Sequence, residues 1–251
     1  RLVNPPPGDG RPAGVLRHLL QRSGEPVVRA ALQRAMKLMG AQFVLGRDIG
    51  EALRHARAHR ERGYSYSFDM LGEAALSAAD AAKYRADYRQ AIDALGREAQ
   101  IGSGPRPSIS IKLSALHPRY EAAQRERVLV ELCAGVRELA LLARARDVGI
   151  SIDAEEADRL ELSLELFERL LRDPELHGWG GLGLVVQAYS RRALPVLVWL
   201  TLLGRELDVR IPLRLVKGAY WDSEIKRAQQ RGLAGYPVFT RKAGTDAAYL
   251  D

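Results

Sequence analysis

The 251-residue sequence predicts an α/β fold: a TIM-type (βα)8 barrel of which about the first five strands are present, preceded by an N-terminal helical arm. Three observations predict it. Short strand-like runs alternate with helical stretches through short connections, which is the pattern of parallel βαβ units. Inside those runs one face is polar and the other apolar, whereas a flat sheet covered by helices on both sides would be apolar on both. At 47% apolar content the chain can bury a sizeable core.

Residues 1–45 read as linker and helical arm. Arg1 stands where an initiator Met would, and NPPPGDGRPAG is linker-like, so a piece of a longer chain, truncated at both ends, is expected. From Val15 to Gly40 the apolar residues Leu16, Leu19, Leu20, Val27, Val28, Leu32, Met36 and Met39 keep helical spacing, interrupted by Ser23, Gly24 and Pro26, which predicts two helices. Ile49 to Glu61 is an Arg-rich helix with His55 and His59 one turn apart. That spacing suits a metal pair, but the glutamate of the zinc-protease motif is missing and the surroundings are basic, so a solvated face is expected.

The barrel segment, residues 46–251, supplies the alternation. Tyr64–Leu71 is a strand and Ala74–Leu95 helical. Ser108–Leu116 is the second strand, followed by a helix over Glu121–Arg146 with Val128, Leu132, Val136, Leu139 and Ala143 on one stripe. Val148–Glu155 is the third, followed by a helix turning Leu160, Leu164, Phe167 and Leu171 inward. Leu182–Tyr189 is the fourth, Leu194–Arg205 a helix, and a fifth strand starts at Val209.

The polar strand faces carry the candidate chemistry. In the second strand Ser108, Ser110, Lys112 and Ser114 oppose Ile109, Ile111 and Leu113; in the third, Ser151, Asp153 and Glu155 oppose Ile150 and Ile152. Lys112, Asp153, Gln187 and Arg214 should then all point inward near strand C-terminal ends. Barrel interiors prefer branched apolar residues, so four polar groups at one mouth predict a functional site. The stretch VRIPLRLVKGAYWD, Val209–Asp222, crowds two cations and two aromatics onto one strand end, and Gly218 lets something approach the backbone closely.

Composition removes several function classes. The net charge of +7 rests on 38 basic residues, only six of them Lys, spread along the chain as on a solvated surface. Cys133 is alone, which excludes an internal disulfide and fits a reducing compartment; Leu132 and Val136 beside it suggest a core thiol. The longest strongly apolar run, Leu194–Leu203, is too short to span a bilayer. GWGGLG, Gly178–Gly183, spells the dinucleotide fingerprint but precedes a strand instead of following one, and reads as a tight turn. The sequence contains no Walker A loop, G-x-S-x-G elbow or Cys/His metal cluster.

Five stretches, in order, carry a resemblance: YSFDMLGEAALSAADAAKY, ISIKLSALHPRY, ISIDAEEADRLELSLELFERL, VVQAYSRR and RLVKGAYWDSEIKRAQQRGLAGYPVFTRKAGTD. Over about Val27 to Asp251 the chain resembles the proline dehydrogenase domain of the bifunctional proline utilization A flavoenzymes. The resemblance implies a distorted (βα)8 barrel holding FAD at the strand C-termini. It also implies oxidation of L-proline to Δ1-pyrroline-5-carboxylate, by hydride transfer to flavin N5, with electrons passed to membrane quinone. Position by position, Arg214 resembles the arginine near flavin N5 and Gln187 the glutamine bonding the isoalloxazine. Val216, Lys217, Gly218 and Trp221 resemble cofactor contacts, and Thr240 and Lys242 residues at the FAD phosphate and adenosine side. Lys112, Asp153, Ala219 and Tyr220 are similar to the residues around the substrate, and Glu73 to a glutamate that ion-pairs with a gate arginine. The family continues with three more strands and a helix that clamps the substrate carboxylate. A longer parent is therefore implied: cytoplasmic, peripheral to the membrane, with a C-terminal aldehyde dehydrogenase and a possible homo-oligomeric state.

Two other readings stand beside it. Lys112 or Lys217 could form a Schiff base with a carbonyl substrate, as in barrel aldolases. Alternatively the Arg-rich surface binds nucleic acid on an inert scaffold, a reading weakened by the lack of interleaved aromatic platforms.

Overall fold

A computed structural model describes residues 29–30, 32–36, 39–40, 43–70, 72, 74–99 and 106–251. The chain divides into two units, Arg1–Ala56 and Arg57–Asp251. Of the expected arm, the first helix lies outside the described residues; residues 29–30, 32–36 and 39–40 are helical. Helix α1, Ile49–Arg60, starts where Asp48 Oδ1 accepts the Glu51 backbone N–H at 2.8 Å and the Glu51 carboxylate accepts the Arg47 N–H at 2.8 Å. His55 and His59 are both exposed on it; His59 bonds the Tyr66 hydroxyl at 2.6 Å.

Beyond α1 the alternation is regular. The elements are β1 (Ser67–Asp69), α2 (Ala78–Ala99), β2 (Ser108–Ile111), α3 (Leu113–Leu116), α4 (Arg125–Ala145), β3 (Gly149–Ile152), α5 (Leu160–Leu171), β4 (Leu182–Gln187), α6 (Ala193–Glu206), β5 (Leu213–Val216), α7 (Trp221–Gln230) and α8 (Lys242–Leu250). The five strands form one parallel sheet in sequence order. Asp69 lies level with Ser110, Ser110 with Ser151 and Ser151 with Gly183.

The apolar strand faces meet the helices. Ile109, Ile111, Ile150 and Ile152 are buried, as are Val128, Leu132, Val136, Leu139 and Ala143, the stripe expected on α4. Each such isoleucine, leucine or valine contributes about 1.5–3 kcal/mol on burial, so this layer dominates the stability of the barrel wall. On α5 the buried apolar residues are Leu162, Leu166, Phe167, Leu170 and Leu171, while Leu160 and Leu164 stand half-exposed at the flank. The apolar residues of α5 fit two neighbouring helical stripes, and packing buries the one through Leu162, Leu166 and Leu170 with Phe167 and Leu171 beside it, which turns Leu160 and Leu164 to the flank. Cys133, expected in the core, is only half-buried, and burial pushes its thiol up.

The strands are shorter than their sequence patterns. β2 stops at Ile111 because the Lys112 N–H turns to the Tyr88 hydroxyl of α2 at 3.1 Å, and the next four residues form α3. Ser114, expected inward on a strand, is thereby in a helix, where its N–H donates to Glu155 Oε1 at 3.0 Å. β5 begins only after Pro212, which has no N–H for the ladder but whose carbonyl still accepts from Leu184 at 3.0 Å. Past β4 the chain pairs again: Ser190 bridges Val238 antiparallel, and the Phe239 N–H donates to Tyr189 O at 2.8 Å. This brings Pro237–Thr240 to the C-terminal end of β4.

Candidate active site

Small residues form the floor of the site. Ser110, Ser151 and Gly183 occupy one level across β2, β3 and β4, and a Cβ at Gly183 would lie 2.6 Å from Pro212 O and 3.0 Å from Ser151 Oγ. The space above this floor admits the long side chain of Arg214 from β5. Its Nη1 donates to Ser110 Oγ at 2.7 Å and to Ser67 Oγ at 3.4 Å, and its Nη2 to Asp153 Oδ1.

Asp153 is 8% exposed and carries two cations, one on each oxygen, because Lys112 Nζ donates to Oδ2 at 3.1 Å. Lys112 also reaches Asp69, with contacts of 3.0 and 3.2 Å to its two oxygens. Two cations and two carboxylates thus form one linked cluster over β1, β2, β3 and β5. Burial alone would lower the Lys112 ammonium pKa. The hydrogen bond and charge of Asp69 and Asp153 outweigh it, and the net shift is upward. Burial pushes the Asp153 carboxyl above its ordinary value, against the pull of Lys112 and Arg214.

Of the four residues expected at one mouth, Lys112, Asp153 and Arg214 meet directly, and Gln187 does not join them. Both ends of its amide serve backbone: Nε2 donates to Glu155 O at 2.9 Å and Oε1 accepts the Ala219 N–H at 3.0 Å. Gln187 therefore ties the loop after β3 to the loop after β5. Beside it, Ala219 is exposed and Tyr220 half-buried, its phenol pushed up by burial.

A second group lies past β5. Lys217 and Lys242 both grip the Asp246 carboxylate, the latter at 2.5 Å, and Lys217 Nζ sits 5.7 Å from the Tyr249 ring centroid. Trp221 donates its indole N–H to Phe239 O at 2.9 Å, Val216 is half-buried, and Thr240 is exposed just before α8. The close approach expected at Gly218 is made by Tyr189: at φ +139° a Cβ there would fall 2.5 Å from the Tyr189 ring. Glu73 lies outside the described residues. A cavity of about 40 Å³ between β4, α6 and the loop after β3 touches Gln187 and Glu155 but not Asp69, Lys112, Asp153 or Arg214, so it is separate from the charged cluster.

Sequence reading missed Asp69, Ser67 and Tyr88. The signal for the first two was present: Ser67 and Asp69 flank Phe68 with strand parity, as Ser108 and Ser110 flank Ile109. Tyr88 left no such trace, since it reaches Lys112 from a helix 24 residues away.

The pattern of charges on strand ends is matched by ancestry. Residues 52–251 match the family model described as Proline dehydrogenase. The chain belongs to the proline dehydrogenase family. Residues 2–43 are similar to a second model, the DNA-binding domain of proline dehydrogenase. Among curated relatives, the bifunctional protein PutA of Klebsiella aerogenes is 56% identical over 94% of this chain and 18% of its own length. The bifunctional protein PutA of Rhizobium meliloti is 54% identical over 92% of this chain and 19% of its own, so the chain spans about a fifth of the length of these relatives. Among solved structures, a mutant of proline utilization A from Bradyrhizobium japonicum aligns with all of this chain and 25% of its own, at 50% identity and TM-score 0.79. Proline utilization A from Bdellovibrio bacteriovorus, inactivated by N-propargylglycine, aligns with 96% of this chain and 26% of its own, at 30% identity and TM-score 0.84. The parallel five-stranded sheet with its outer helices is accordingly part of the (βα)8-type fold of this family.

Proposed function

We propose that this chain is the core of an FAD-dependent dehydrogenase that oxidises L-proline to Δ1-pyrroline-5-carboxylate, the first step of proline catabolism. The observation that carries the reading is the Lys112 ammonium, held charged between two carboxylates beside Arg214 in a chain of the proline dehydrogenase family. An ammonium so fixed is suited to a substrate carboxylate.

The residues fit the cofactor by the chemistry of their side chains. Arg214, Lys217 and Lys242 are cations suited to an anionic pyrophosphate and to a ring that gains negative charge on reduction, and Trp221 is 42% exposed, with an indole able to lie against a flat ring. With Gln187, Val216, Gly218 and Thr240 these residues would hold FAD. When bound, FAD supplies the two-electron acceptor for the substrate hydride.

The protein's own groups position and shield. Lys112 receives the substrate carboxylate, Asp153 orients Lys112 and can accept a hydrogen bond from the substrate amine, and Tyr220 and Ala219 wall the ring. Glu73 resembles, in sequence, the family glutamate that ion-pairs with a gate arginine. Arg214 would supply positive charge to offset the negative charge that FAD gains on reduction. Membrane quinone is the onward electron acceptor. The parent is a cytoplasmic protein peripheral to the membrane and able to form homo-oligomers, with an aldehyde dehydrogenase following this segment. No helix among the described residues is long and apolar enough to cross a bilayer.

The rival readings have less support. A Schiff-base lysine must be neutral, and Lys112 is shifted the opposite way. The barrel's arginines are largely committed to ion pairs, among them Arg125–Glu165, Arg137–Asp173, Arg172–Glu206 and Arg192–Glu161, so a DNA-binding role fits residues 2–43 better.

In the FAD-loaded holoenzyme, Lys112→Met is expected to raise KM for L-proline by more than about tenfold, the loss of one charge-assisted contact. A change below about twofold shows that Lys112 does not receive the carboxylate.

A further inference from the structure

We propose that Asp69 is a positioning residue for substrate, acting through Lys112: it fixes the ammonium so that one N–H is left to receive the substrate carboxylate. The inference rests on the reading above, in which Lys112 binds the carboxylate of proline. An ammonium has three donors and no acceptor. Lys112 Nζ has three carboxylate contacts, at 3.0 and 3.2 Å to the two oxygens of Asp69 and at 3.1 Å to Asp153 Oδ2. With one N–H shared between the two Asp69 oxygens and one on Asp153, the third donor serves the substrate carboxylate.

Asp153 cannot fix Lys112 by itself. Its two oxygens are divided, Oδ1 to Arg214 and Oδ2 to Lys112, so any movement of the guanidinium is passed to the ammonium. Asp69 is not divided in this way, because among the described residues its side-chain hydrogen bonds go to Lys112 alone. It also approaches from β1, on the opposite side of β2 from Asp153 on β3, so the two carboxylates restrain the flexible lysine stem from two sides. A four-carbon stem restrained from one side only keeps most of its rotamer freedom, and substrate binding must then supply the ordering.

Asp69 has a second, opposing effect, because its negative charge repels a substrate carboxylate. Its side chain is 40% exposed, against 9% for Asp153, so that through-space repulsion is screened by solvent, while the direct bonds to Lys112 are not lost to screening in the same measure. Positioning outweighs repulsion.

The test uses the FAD-loaded holoenzyme with L-proline and an artificial electron acceptor. Asp69→Asn is expected to raise KM about tenfold with kcat within about twofold, and to leave flavin content and absorbance unchanged. Asp69→Glu, which restores the charge, is expected to recover part of the loss. In a Lys112→Met background Asp69→Asn adds less than about twofold, since the residue it acts through is gone. Three results overturn the proposal. In the first, KM is unchanged or lower in Asp69→Asn while Lys112→Met raises it. In the second, flavin content or kcat falls as KM rises in Asp69→Asn, the mark of a merely structural role. In the third, the two substitutions are additive. If Lys112→Met itself leaves KM unchanged, the reading on which the proposal rests fails, and the proposal with it.

Discussion

Arg214 reaches from β5 to hydroxyls on β2 and β1, and the level Ser110, Ser151 and Gly183 across β2, β3 and β4 carries only small side chains. Gly183 is the tightest of these, since its missing Cβ would meet a backbone carbonyl, Pro212 O, that can move only with the strand. Gly183→Ala is therefore expected to cost about 1–3 kcal/mol in urea unfolding, the usual penalty of overpacking, although alanine is the smallest side chain available. An unchanged midpoint would show that β4 and β5 separate freely. Tyr88 makes a second case. Burial holds its phenol neutral until about 12, above the roughly 10 of an exposed tyrosine. The folded value lies above the unfolded one, so this contribution is complete below about pH 10 and is lost as pH rises toward 12, where the unfolded chain ionises first. Tyr88→Phe is expected to reduce that alkaline loss of stability and to remove part of the tyrosinate absorbance rise above pH 10, a rise it shares with Tyr120 and Tyr189, pushed further up by burial. If the substitution removes absorbance near pH 10, Tyr88 is solvated. Strand parity made Lys112, Asp153 and Arg214 legible in the sequence. It could not show that Gln187 would turn its amide to two loops, because a backbone carbonyl and N–H leave no mark in the residue pattern.

Helix and strand identities were legible from period and composition; their ends were set by contacts that no local window contains. The hydroxyl of Tyr88 ends β2, and Pro212 delays β5 to Leu213 although the apolar run begins at Val209. Where an end is set locally it can be tested locally. At the start of α2, Ser77 Oγ accepts the Asp80 N–H at 3.2 Å while the Asp80 carboxylate accepts the Ser77 N–H at 2.9 Å, a reciprocal cap. Ser77→Ala is expected to lower stability by about 1 kcal/mol, the typical worth of a cap. The same helix carries Tyr88, so fraying that spread from the cap would reach the Lys112 backbone. Local fraying is the more economical outcome, because Tyr88, Ile92 and Leu95 are buried three and more turns further on. Hydrogen exchange that quickens at Ser77–Ala81 and not at Tyr88 fits this; quickening along the whole helix refutes it.

At the scale of the whole molecule the sheet is open: β1 and β5 each pair on one side only among the described residues. An unpaired edge offers a row of backbone donors and acceptors to another chain, and parallel barrels avoid this by closure. β5 is the more exposed of the two in apolar terms, because Leu213 at its start is 47% exposed whereas Phe68, the apolar residue of β1, is buried. The charge of the chain does not prevent association there, since the net +7 is spread along the chain and not concentrated at this edge. The 251-residue polypeptide on its own is therefore expected to associate with rising concentration, through β5. Leu213→Lys places a charge on that edge at a position half open to solvent, where it costs little in packing and opposes strand addition. Light scattering over a concentration series should show association of the unmodified chain and a clear reduction in the variant. A chain that stays monomeric throughout, or a variant that associates as readily, means that the β5 edge is not the surface through which copies meet.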